Sequence, residues 1–460
     1  MARILITVHK FFPEHRAGTE VLTLKIAREL TERGHEVLIV TADPPDEDAR
    51  HKQGPPTRDY EYEGLNVHVI TETLRLECYT FEHEYRHPQI GQHFETVLES
   101  FQPDVVHVMH AQNLSASVIE AAKQKGVRIV VSPTDFWFIC PIVQLKRKDG
   151  TICEGPGPGA EPCLTCYTPE LIASRDQLAD ALLERFPAVR GWPGARAVLK
   201  SDPLYGLYTR RKQGPAAAAT IARPDVLRKI GNTADAITVP TRIMKDLFIK
   251  NGFKEELIHH VPFGIDTSLL TPYREKSRSA ELRIGFIGTI YEHKGLDILI
   301  KAFQRLEEEP PAILKIYGSP SQFPTYFKTI EELADSVPSR RRFIEFAGTF
   351  PNEQLGPVLT DIDVLVVPSR WYENTPLVIQ SSLSTATPLI ATNLGGMSEL
   401  IHHEVNGLLF ELNDDADLAA QLEKIQKDRD MLARFRSNIG PQRTTAEMVD
   451  DLERLYFESQ

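Results

Sequence analysis

The sequence has no apolar run near the roughly 18 residues that a membrane-spanning helix needs. Met1-Ala-Arg-Ile4 passes directly into a strand pattern and lacks the charged, apolar and small-residue succession of a secretory leader, so the expected location is cytoplasmic. Basic charge is also short. The 52 Lys and Arg face 64 Asp and Glu, giving a net charge of −12, which argues against nucleic acid as a partner because phosphate backbones are held by basic surfaces. Cysteine is scarce, with five in 460 residues, too few for a disulfide scaffold. Repeats and low-complexity tracts are missing as well, which excludes a solenoid. What is there is an ordinary globular balance, 42% hydrophobic and 25% charged, in a chain long enough for two domains.

Short continuous apolar runs alternate with amphipathic stretches. Arg3 to Val8 reads as a strand, Leu22, Ile26 and Leu30 mark a helix closed by Gly34, and Glu36 to Val40 is the next strand. Val105 to Val108, Arg128 to Val131 and Ala236 to Val239 extend the series. A second series runs through Arg283 to Ile287, Ile313 to Tyr317, Phe343 to Phe346, Val364 to Val367 and Pro388 to Ala391. Strands apolar on both faces predict parallel sheets covered by helices. The expected organisation is a first Rossmann-like domain over 1–265 with an insertion near 138–230, a second over 266–440, and a terminal helix over 441–460 that crosses back to the first. Ligands on such sheets bind beyond the carboxyl ends of the strands, here in an expected cleft where the two sheets face each other.

Four strand-to-helix loops carry the candidate chemistry. Gly288-Thr-Ile-Tyr-Glu-His-Lys-Gly295 lacks the GK[ST] ending of a P-loop, but its glycines admit a diphosphate and Lys294 supplies charge; an ordinary turn with a solvated lysine is the plain alternative. Trp371-Tyr-Glu-Asn-Thr-Pro-Leu-Val378 precedes a helix whose first N–H groups form an anion site, with Glu373 placed to hold sugar hydroxyls or merely to favour the helix dipole. Thr392 to Glu399, with Gly395 and Gly396, and Phe12 to Thr19, with Gly18, are the other two.

These motifs, taken with Arg33-Gly-His-Glu-Val37, Pro103-Asp-Val-Val-His107, Asp135-Phe-Trp137, Phe263-Gly-Ile-Asp266 and Asn406-Gly-Leu-Leu-Phe410, resemble glycosyltransferase family 4, the retaining group with the GT-B fold. The resemblance implies a UDP- or GDP-linked sugar donor and a saccharide or lipid-linked acceptor, in polysaccharide or glycoconjugate assembly. By position, Lys294 contacts the donor diphosphate; the backbone of Asn374, Thr375, Pro376, Leu377 and Val378 cradles it; Glu373 holds the sugar; and Gly18, Gly288, Gly395, Gly396 and Glu399 complete the donor site. A fixed ammonium and a helix N-terminus aimed at the leaving diphosphate supply the charge that transfer needs, so no metal is expected in that step. Three positions depart from the family pattern. Ser381 stands where a second glutamate is common, Thr289 where an arginine is, and Thr134 where a histidine is. His110 is the candidate to replace that histidine, or else a core histidine. The departures leave two alternatives to a transferase: a GT-B scaffold without activity, and a GT-B epimerase.

Cys140, Cys153, Cys163 and Cys166 fall close together and end in a C-x-x-C. That density suits a structural zinc, with an iron–sulfur cluster or free thiols as alternatives. From Arg185 to Lys229 there are ten Lys or Arg, read either as a solvated helical face or as a surface for peripheral contact with anionic lipid.

Overall fold

The structure, a computed structural model, describes residues 1–43, 55–76, 80–157, 160–167, 179, 182–185, 192, 194–199, 214–276 and 279–458. Residues 186–191, 193 and 200–213 of the basic stretch, and the fifth cysteine, Cys78, lie outside these residues. Contacts within the chain cluster into two units. One is built on Met1–Thr23, Leu30–Thr238 and Leu247–His259, the other on Leu24–Glu29, Val239–Asp246 and His260–Gln460.

The first sheet has eight strands: β1 (Arg3–Thr7), β2 (Glu36–Ala42), β3 (Thr57–Tyr62), β4 (Leu65–Ile70), β5 (Val105–Val108), β6 (Arg128–Val131), β7 (Ala236–Val239) and β8 (Ile258–His260), in the order β3-β4-β2-β1-β5-β6-β7-β8. The central strands β1, β5 and β6 pair in parallel and are almost wholly buried, as their unbroken apolar runs require. One edge departs from the predicted parallel pattern, because β3 pairs antiparallel with β4. Their connection is the two-residue turn Glu63-Gly64, with both residues at positive φ, 51° and 80°, the geometry that matches strand twist in a tight hairpin. A polar edge strand, Thr57-Arg-Asp-Tyr-Glu-Tyr62, carries no continuous apolar run by which to recognise it.

The second sheet orders six parallel strands as β11-β10-β9-β12-β13-β14, from β9 (Leu282–Ile287), β10 (Ala312–Tyr317), β11 (Ile344–Gly348), β12 (Val364–Val367), β13 (Leu389–Thr392) and β14 (Gly407–Phe410). The strand order reverses where β9 meets β12, so the loops after those two strands open side by side. Helix Leu296–Arg305 buries Leu296, Ile298, Leu299, Ile300, Ala302 and Phe303 against this sheet. Each large side chain among them contributes about 1.5–3 kcal/mol by leaving water, which holds the start of the helix, and the loop before it, in place. The terminal helix Thr445–Phe457 begins with a capping box, Thr444 accepting from the Glu447 N–H and Glu447 from the Thr444 N–H. It buries Met448, Val449, Leu452 and Tyr456, and its first residues pair with Ile265.

Beneath the second sheet, Asp363 accepts from Arg283 and Arg429. Near them Lys276 Nζ donates to Leu359 O and, at 2.6 Å, to Thr387 Oγ1. Burial, reinforced by Arg436 and Arg283, pulls this lysine down to about 7. Among the described residues no helix is long and apolar enough to cross a membrane.

Candidate functional site

In the second unit the loops after β9, β12 and β13 fasten to one another by main-chain contacts. The Arg370 N–H donates to His293 O at 2.8 Å, and the Gly396 N–H to Glu373 O at 2.8 Å. Glycine is required at both crossings. A Cβ on Gly295, whose φ is +69°, would stand 1.9 Å from Pro368 O, and one on Gly396 would stand 1.7 Å from Asn374 O. At Gly288 an added Cβ would meet only ordinary contacts, and at Gly18 nothing within 4 Å. Close backbone approach therefore explains Gly295 and Gly396, and open space remains around Gly18 at the exposed start of helix Gly18–Glu32.

This fastening brings Lys294 and Glu373 together. Lys294 Nζ lies 2.5 Å from Glu373 Oε1, which also accepts from Ser369 Oγ at 2.8 Å and Trp371 Nε1 at 2.9 Å. The Trp371 ring lies under the ammonium with its centroid 5.5 Å away. Burial alone would raise the Glu373 carboxyl, but the charge and hydrogen bond of Lys294, with help from Ser369 and His293, outweigh it and hold the group below its ordinary value. All three bonds fall on one oxygen, Oε1. Glu373 is 7% exposed and Asn374 and Thr375 are similarly buried.

Helix Leu377–Ser384 starts directly after this pair, with Pro376 as its N-cap and no side chain capping it. The Ile379 N–H donates to Pro376 O at 2.9 Å, and those of Leu377 and Val378 are left to a ligand or water. Thr289 is half-buried in the loop after β9, whereas Ser381 is buried in the helix, 6% exposed. Glu399 is otherwise engaged: its carboxylate accepts the Arg242 and Ile243 N–H groups at 2.9 and 2.8 Å, capping helix Arg242–Lys250.

In the first unit His110 follows β5. Its Nδ1 accepts from the Gln112 N–H at 3.0 Å, which leaves Nε2–H to donate to Asp135 Oδ2 at 2.8 Å. Both ring nitrogens are thus used within the fold, and Asp135 is fixed in turn by the Trp137 N–H. Thr134 bonds Thr19 at 2.8 Å. Two residues that the sequence motifs did not single out stand beside His110. His9 stacks on it with centroids 4.4 Å apart, and Glu20 Oε1 lies 3.5 Å from His9 Nε2. Burial lowers the His9 imidazole and raises the Glu20 carboxyl, so both lean toward their neutral forms. His9 Nδ1 and Glu20 Oε2 are buried with no hydrogen-bond partner among the described residues. The signal for them was positional: His9 ends the first apolar run, where strand ends carry ligands.

The four clustered cysteines are free and line one cavity of about 20 Å³. Among the described residues no three His, Cys, Asp or Glu side chains already form a set able to hold a metal.

Residues 272–440 match the family model described as "Glycosyl transferases group 1", and residues 17–155 match the "Glycosyl transferase 4-like domain". A putative glycosyltransferase of Bacillus subtilis, YtcC, is 26% identical over 46% of this chain and 56% of its own. The D-inositol 3-phosphate glycosyltransferase of Nocardia farcinica is 31% identical over 45% of this chain and 47% of its own. The chain spans about half the length of the relatives it matches. Anabaena HepE, solved in complex with UDP, shares 15% identity, with a TM-score of 0.64 over 99% of each chain. That likeness shows the fold, the GT-B type built from two parallel-sheet α/β domains.

Proposed function

Because the chain belongs to the group 1 glycosyl transferases with a 4-like first region, we propose that it is a glycosyltransferase that moves a sugar from a nucleoside diphosphate to a saccharide or lipid-linked acceptor, with retention. One observation carries this reading: a lysine paired with a buried carboxylate beside an uncapped helix N-terminus. In the proposed reaction the donor diphosphate displaces Lys294 from Glu373 and takes its ammonium together with the free N–H groups at Leu377 and Val378. Glu373, relieved of its ion pair, accepts from sugar hydroxyls. As the bond from the sugar to the diphosphate breaks, negative charge gathers on the departing phosphate. The ammonium and the helix N-terminus are already oriented toward that charge, so they stabilise the transition state more than the ground state. The first unit binds the acceptor, with His9, Glu20 and Asp135 as the polar groups around it; the acceptor hydroxyl oxygen bonds the sugar carbon as the diphosphate leaves, and its proton passes to the departing phosphate. UDP is the first nucleotide to try, since HepE is a UDP complex.

Calorimetric titration with UDP, GDP, ADP and their sugar conjugates, with and without EDTA, tests this. Micromolar binding that survives EDTA fixes the donor and supports metal-independent transfer. Ser381 and Thr289, where the family carries glutamate and arginine, favour the scaffold alternative. It takes the lead if nothing binds up to about millimolar, that is, weaker than about 4 kcal/mol.

A further inference from the structure

Outside the transfer site, the segment after β6 folds back on itself. Lys146 and Ile152 pair across a tight antiparallel bridge, and the Cys153 N–H donates to Leu145 O at 2.7 Å. The turn brings Cys140 and Cys153 to the cavity that Cys163 and Cys166, from the short helix Glu161–Tyr167, also line. The rest of the lining includes Ile139, Ile142, Leu145, Pro156 and Pro162, a dry surround with no carboxylate or imidazole to compete with sulfur.

We propose that these four cysteines are the ligands of a single thiolate-bound zinc ion that staples the segment after β6. Three features of the cluster support it. A main-chain N–H already points at one of the sulfurs, that of Gly155 at Cys153 with N to Sγ at 3.4 Å. Such donors are what a thiolate needs to stay charged in apolar surroundings and what orients it toward a metal. Positive charge also flanks the group, since Lys146 and Arg147 line the cavity. Four thiolates around a divalent ion carry two net negative charges, and these side chains balance them. The cavity that all four share, finally, is small, about 20 Å³, which suits a single ion.

The thiols do not yet form a ready coordination shell, so binding requires them to turn from their present rotamers into the cavity they share. It also requires loss of four protons. Cys153, which now donates its thiol proton to Gly155 O, keeps only the bond it accepts. A bound divalent cation makes that proton loss favourable. The zinc stands apart from the transfer reaction and does not depend on that reading.

The test is elemental analysis of the full chain, purified under reducing conditions without added metal, with acid-labile sulfide measured alongside. About one zinc per chain and no sulfide are expected. A mercurial titration should release that zinc as four thiols react. Cys166→Ser and Cys163→Ser should lose the metal, Cys166→His should keep it, and Cys78→Ser should leave it at one per chain. Zinc near zero in the wild-type chain, iron with stoichiometric sulfide, or a disulfide among these cysteines by mass spectrometry each overturns the proposal, whatever the serine variants do.

Discussion

Replacing Lys294 with methionine keeps most of the side-chain volume and deletes the charge that Glu373 faces at 2.5 Å. Removing one partner of a buried ion pair costs about 3–5 kcal/mol. Lys294 is a quarter exposed, and Ser369 and Trp371 still serve the same oxygen, so we set the expected loss lower, at about 2–3 kcal/mol. Urea unfolding would read it as a lower midpoint with an unchanged slope. Nucleotide binding should weaken too, by about 1.5–3 kcal/mol for a charge-assisted contact to phosphate, or roughly tenfold to a hundredfold in Kd for UDP. Turnover should fall at least about tenfold.

The double variant Lys294→Met/Glu373→Gln separates the two roles. Glutamine needs no counter-charge, so most of the stability should return, while UDP binding stays as weak as in the single variant. Glu373→Gln alone should bind UDP almost normally and lose turnover with the sugar conjugate. If the double variant binds UDP like the wild type, Lys294 serves only as a counter-ion to Glu373 and the diphosphate assignment is refuted. The ion pair also has a pH signature. With the folded-state carboxyl held below its ordinary value of 4.5, its contribution is complete above that pH and is lost as pH falls through the lowered value. In Lys294→Met, burial prevails and the sign reverses, stability falling as pH rises above about 4.5.

Gly295→Ala places a Cβ against Pro368 O at a positive φ, which costs more than about 2 kcal/mol and should part the loops after β9 and β12; Gly18→Ala, with open space, should change stability by less than about 0.5 kcal/mol. Lys276 releases its proton in the folded chain near 7 rather than 10.5, so its stabilising balance worsens as pH falls from about 10.5 to 7 and stays level below that. Lys276→Met should therefore gain in urea midpoint relative to wild type as pH is lowered across that range, and an equal gap at pH 9.5 and 7 would contradict the burial argument. Glu399→Ala uncaps helix Arg242–Lys250 and should cost about 1 kcal/mol, read by thermal unfolding, while a tenfold change in UDP affinity would restore Glu399 to the donor site.

Every strand read from a continuous apolar run is present, with ends shifted by a residue or two, because buried parallel strands must be apolar on both faces. What escaped lies at sheet edges. The β3–β4 hairpin is half polar, and β8 is only three residues long. Within the site, the loops after β9 and β12 were legible because glycine, lysine and helix-start residues each have a local physical meaning. Glu399 shows where that kind of reading stops. Its place at a helix start said nothing of the second helix end that it caps, a contact made across 157 residues of sequence. His9 had only its position at the end of the first apolar run to mark it, and Glu20 becomes notable only when folding buries it beside His9.

The loops of the second unit cross at close peptide contacts, Gly295 on Pro368 and Gly396 on Asn374, as well as through the Lys294–Glu373 pair. Geometry set in this way is indifferent to most substitutions around it. Thr289 and Ser381 can therefore change while the backbone proposed to face the donor phosphates stays where it is. Diphosphate holding and the choice of base or sugar become separable properties. A library varied at positions 289 and 381 with both glycines kept should yield altered donor preference in folded proteins, whereas one varied at 295 and 396 should yield mostly unfolded chains.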